Sequence, residues 1–152
     1  MNKRILLIAT VYRVGERIYS TIPKLSKLFN IDLLTINQMS DEMNWYGDDD
    51  PRQTFHSLYD NYFDNIYDAG FESTNVNPSP LLNNIDINKY DLILYDDDRK
   101  RHGIGELYNR VKQHNVPMVG CIHGAGVGFG SDRFGKISDK LFVFGEKDHR
   151  EN

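Results

Sequence analysis

The chain has 152 residues, 39% hydrophobic and 26% charged, with one cysteine and a formal charge of −4. That is the balance of one soluble globular domain, long enough to bury about 68–70% of its unfolded surface without disulfides or a structural metal. The 18 basic against 22 acidic residues argue against a protein that coats the nucleic-acid backbone; the lone Cys121 suits the cytoplasm; and no apolar run approaches the ~20 residues of a membrane span.

Residues 4–10 read as a strand with apolar side chains on both faces, the pattern of a parallel sheet covered on both sides. After a polar turn containing Gly15, Val14, Ile18, Ile22, Leu25, Leu28 and Phe29 form a helical stripe ending near Asn30, in which Pro23 predicts a kink or a shortened first turn. Residues 31–36 form a second apolar run, and the acidic, aperiodic residues 37–50 read as loop. From Pro51 onward, Phe55, Leu58, Tyr59, Tyr62, Phe63, Ile66 and Tyr67 recur at helical spacing and predict a helix whose aromatic stripe packs on the sheet. Residues 70–89, with Pro78 and Pro80, are a poorly patterned connection with room for a turn of helix at Leu81 and Leu82. Residues 91–95 then read as strand three, Ile104, Leu107, Tyr108 and Val111 as a helical stripe, residues 117–122 as strand four and residues 141–144 as strand five. The alternation predicts a single α/β domain over residues 1–152. Its core is a doubly wound, Rossmann-like, five-stranded parallel sheet of order 3-2-1-4-5 or 2-1-3-4-5.

In such a sheet, ligands bind outside the carboxyl ends of the strands, near the place where the strand order reverses. This selects Tyr12, Arg13 and Gly15 after strand one, Asp97 and Arg99 after strand three, His123, Gly124 and Gly126 after strand four, and Glu146 after strand five. The alternating Gly124, Gly126, Gly128 and Gly130 allow backbone N–H groups to approach a phosphate, or simply meet the needs of a turn. An NAD fingerprint fails because its third glycine position is Phe129 and the motif follows strand four; a Walker loop fails because Gly135-Lys136 is followed by Ile137. His123 has the chemistry of a general base for a hydroxyl, set against a buried structural histidine as the bland reading. Asp96, Asp97 and Asp98 read either as an ion or hydroxyl site or as a solvated turn, with Arg99 able to hold an anion. No histidine pair has metal-ligand spacing, so neither a metal nor a cofactor is expected. Cys121, inside a strand, reads as a core thiol, and no serine nucleophile elbow occurs.

Three segments carry a family likeness: Tyr90-Asp91-Leu92-Ile93, Ile122-His123-Gly124, and Asp139 to Glu146 with its Phe144-Gly145-Glu146 end. With them, the chain resembles the N-terminal domain of GT-B glycosyltransferase-like proteins, in the CDP-glycerol glycerophosphotransferase and UDP-N-acetylglucosamine 2-epimerase group. The resemblance implies an acceptor-side half in which His123 is the base on a small-molecule or polymer-end acceptor hydroxyl. It also implies that Gly145-Glu146 lead toward a separate donor-binding half for a nucleotide-activated donor, without which the chain would not complete group transfer. Two other expectations stand beside it: a non-catalytic, flavodoxin-like module for a nucleotide or phosphorylated metabolite, and a small phosphoribosyltransferase-like enzyme using Asp97 and Asp98. Neither nucleic acid nor a membrane span is expected, and the oligomeric state is open.

Overall fold

The structure, a computed structural model, describes residues 3–9, 21–37, 59–71, 84–95, 104–121 and 139–142. Strand β1 (Arg4–Ala9) is buried along Ile5 to Ala9 because it is paired on both sides, with β2 (Asn30–Asn37) and β4 (Leu92–Tyr95). Its side chains alternate between two apolar clusters. Leu6 and Ile8 join one with Leu34, Ile93 and Tyr95; Leu7 and Ala9 join the other with Ile31 and Leu33. A continuous apolar run is therefore what a central strand with two covered faces requires. Strands β3 (Asn65–Phe71), β5 (Met118–Cys121) and β6 (Lys140–Phe142) complete an all-parallel sheet in the order β3-β2-β1-β4-β5-β6.

The two apolar faces are covered by different helices. Helix α1 (Ile22–Leu25) inserts Ile22 among Leu7, Ile31 and Leu33, whereas Leu107 and Val111 of α2 (Ile104–Gln113) pack on Leu6, Ile8 and Tyr95. Each such fully buried side chain contributes roughly 1.5–3 kcal/mol. The expected doubly wound α/β class and the order 3-2-1-4-5 are both observed, but the sheet has six strands rather than five. Its sixth member lies where a helix was expected. The five strands read from the sequence lie 2-1-3-4-5 among themselves, and β3, added outside β2, shifts the numbering.

Of the predicted aromatic helix, residues 51–58 lie outside the described residues; the remainder is a 3-10 turn at Asp60–Tyr62 followed by β3. The free side of β2 offers a backbone ladder, entered by the Asp64 N–H donating to the Ile31 carbonyl at 2.8 Å. Aromatic and β-branched residues suit that pleated surface. Adjacent residues consequently face opposite ways: Tyr67 packs on the α2-side cluster, while Ile66 stays 39% exposed. The first helix is also shorter than its stripe. Pro23 sits in its opening turn, the helix stops at Leu25 instead of near Asn30, and Leu28 is 66% exposed on the turn beyond. The supposedly unpatterned connection before β4 buries Ile85 and Ile87, the latter in a 3-10 turn (Ile87–Lys89) whose first N–H groups are capped by Asp86.

Candidate functional site

From β1 the chain builds outward through β2 and β3, and from β4 in the other direction through β5 and β6, so the strand order reverses between β1 and β4. These two strands pair from Ile5 opposite Leu92 to Ile8 opposite Tyr95. The same cross-sheet row continues from Tyr95 to Gly120 and from Gly120 to Leu141. Thus β1, β4, β5 and β6 end within two residues of one row, and their carboxyl ends form a single edge beside the reversal. That edge is where connections departing to opposite faces leave a crevice. Tyr95, the last residue of β4, is fully buried on the α2 face, and its neighbour in the row, Gly120, carries no side chain.

Every site residue read from the sequence continues from one of these ends. Tyr12, Arg13 and Gly15 follow Ala9; Asp97 and Arg99 follow Tyr95; His123, Gly124 and Gly126 follow Cys121; Glu146 follows Phe142. All nine lie outside the described residues. What the fold brings together is the set of strand ends that precede them. Among the described residues, no group of three or more metal-ligating side chains occurs.

The opposite edge holds a charged network that sequence reasoning missed. Asp32, on β2, is the one fully buried ionisable side chain among the described residues. Its carboxylate accepts from Arg4 Nη1 at 3.0 and 3.1 Å, from Asn65 Nδ2 at 2.9 Å and from the Tyr90 hydroxyl at 2.9 Å. Arg4 reaches Asp64 as well, through Nη2 at 3.3 Å. Burial opposes the Arg4 charge, but the hydrogen bond and charge of Asp32 outweigh it and raise the guanidinium above its ordinary value. Burial, reinforced by the hydrogen bond to Asp32, pushes the Tyr90 phenol upward. This network is satisfied from four strands or their approaches, and lies at the amino ends, away from the crevice. One signal could have found it: Asp32 interrupts an otherwise apolar run, and a lone carboxylate there needs partners.

Two further aspartates clamp strand starts in the same way. The Arg4 N–H donates to Asp91 Oδ2 at 2.8 Å while the Asp91 N–H donates to the Arg4 carbonyl at 2.9 Å. Likewise, the Met118 N–H donates to Asp139 Oδ2 at 2.8 Å and the Asp139 N–H returns to the Met118 carbonyl at 2.7 Å. The Asp139 carboxyl is held below its usual range by the hydrogen bond from Lys112, against the effect of burial and with help from Met118. Tyr90-Asp91 and Asp139 in the family-like segments therefore have structural work at the amino edge.

The fold and the crevice define a Rossmann-like, doubly wound parallel α/β protein. Comparison with protein-family models, with curated proteins and with solved structures finds no match to this chain. No described helix is long and apolar enough to cross a membrane.

Proposed function

We propose that this protein is the acceptor-binding half of a glycosyl- or glycerophospho-transferase, with the acceptor seated at the carboxyl edge by β1, β4 and β5. The observation that supports this reading is the reversal of strand order at β1/β4, one strand away from the end of β5, after which His123 follows by two residues. His123 accepts the proton of the acceptor hydroxyl as that oxygen bonds to the sugar carbon or phosphorus of a donor. The bond to the donor's nucleotide phosphate breaks, and the nucleotide leaves with the electron pair. Arg13 and the backbone around Gly124 and Gly126 hold the anionic part of the acceptor, and Asp97 orients its hydroxyls. The donor is bound by a separate half, toward which Glu146 leads, and the reaction belongs to the cytoplasm.

A nucleotide or phosphorylated-metabolite binding module without catalysis is the second reading, favoured by the same reversal point, which by itself serves binding alone. Two measurements separate these readings. Glycerol 3-phosphate in thermal shift should raise the melting point, since a ligand at 100 times its Kd adds about 2.7 kcal/mol. His123→Ala, combined with a competent donor half, should keep that shift and lose roughly 10²–10⁴-fold in transfer rate. Retained transfer would remove His123 as the base. A shift with nucleotides alone, and no transfer by the wild type, would favour the binding module.

A further inference from the structure

We infer that Asn65, through its hydrogen bond to buried Asp32, is the register lock of edge strand β3. The need for a lock follows from the topology. A hairpin turn fixes the register of antiparallel neighbours, but β3 is parallel to β2, with residues 38–64 between them and residues 72–91 between β3 and β4. Connections of that length leave several registers within reach.

The side-chain pattern of β3 discriminates weakly among them. Ile66 and Tyr67 are adjacent and both apolar, one 39% exposed and the other half-buried, and Gly70 adds no side chain. A strand with so little contrast between its faces is prone to slip. The Asp32 carboxylate supplies the missing contrast. In the observed register Asn65 is paired with Asp32, and its amide donates to Oδ1 at 2.9 Å. Moving the strand by one residue would place either Asp64, a second carboxylate, or Ile66, which has no donor, opposite the buried charge. Moving it by two would bring up Phe63 or Tyr67 instead. Every slipped register therefore loses a hydrogen bond to a desolvated carboxylate, an outcome far more costly than the loss of an exposed one. Arg4 and Tyr90 hold the carboxylate in place from β1 and from the approach to β4, so the lock is built on the centre of the sheet. The use of a buried polar group to select one pairing has precedent in helical assemblies.

Asn65→Ala removes the amide, and Asn65→Asp keeps the shape while removing the donor; because Asn65 is exposed on its other side, neither opens a cavity in the core. Amide exchange and cross-strand nuclear Overhauser contacts would be compared with wild type, with Asp64→Ala as a control that removes only the outer contact to Arg4. The expected result is a second set of β3 amide signals and a loss of about tenfold or more in protection at Tyr67 and Ala69, with Ile8 and Ile93 unchanged. The control should keep one register. Two results would overturn the inference: a single native register with unchanged β3 protection in both variants, or a uniform loss over β1, β3 and β4, which marks a general stability contribution. If one variant does not fold, the other carries the same comparison.

Discussion

Arg4→Met tests the amino-edge network directly. Arg4 Nη1 donates to both oxygens of a carboxylate with no solvent exposure, so its removal leaves a buried charge held only by Tyr90 and Asn65. Stripping one partner from a buried ion pair costs roughly 3–5 kcal/mol. The Arg4 side chain is itself 29% exposed, so the solvated part of its interaction is worth less, and a loss of about 2–3 kcal/mol is expected. For a domain of this size that corresponds to a melting point lower by about 5–10 °C. Urea denaturation followed by circular dichroism should show a lower midpoint with an unchanged slope. Replacing the whole group, as Arg4→Met/Asp32→Leu/Tyr90→Phe, removes the charge along with its partners and should recover most of the loss. A cost below about 0.5 kcal/mol for Arg4→Met, or a triple variant as unstable as the sum of its parts, would refute this reasoning.

Three other predictions concern single residues. The depressed Asp139 carboxyl contributes stability above the unfolded carboxylate value of about 3.9, and that contribution is lost as pH falls through its lower folded value. Asp139→Asn should therefore cost about 0.5–1 kcal/mol at pH 7 and almost nothing near pH 2, as read from urea midpoints at the two pH values. Tyr90 is shifted the other way. Its contribution is complete below the ordinary tyrosine value of about 10 and is lost as pH rises beyond it, so alkaline unfolding should be less steep in Tyr90→Phe than in wild type. At the end of α2, Asn115 has φ 54° and the Val116 N–H closes on the Val111 carbonyl, a left-handed helix cap. Asn115→Gly should raise stability by about 0.5 kcal/mol in thermal melts, and Asn115→Val should lower it by about 1–2 kcal/mol.

The central strands and α2 were legible because their local pattern and their tertiary role agree. Residues 4–10 are apolar on both faces and become a strand covered on both faces, and the Leu107–Val111 stripe becomes the face that meets the sheet. β3 was misread because Tyr59, Tyr62, Phe63, Ile66 and Tyr67 satisfy a helical period as well as an edge strand does. The vacant side of β2, a non-local partner, decides between them. The strand order was undecided for a related reason: crossovers, not local composition, determine which strands adjoin. The candidate site was legible to the level of strand ends, since the parallel alternation put the ends before Tyr12, Asp97, His123 and Glu146 on one edge. The Asp32 network was hidden because its partners come from positions 28, 33 and 58 residues away in the chain.

The proposed acceptor site stands or falls on where an anionic ligand contacts the sheet. Titrating glycerol 3-phosphate into the isotopically labelled protein and following backbone amide shifts would locate it. Perturbations at Ala9, Tyr95, Gly120 and Cys121, with Arg4, Asn65 and Asp91 unmoved, are the predicted result. Shifts confined to the amino-edge residues, or no saturable shift at the ends of β1, β4 and β5, would contradict a site at the strand reversal.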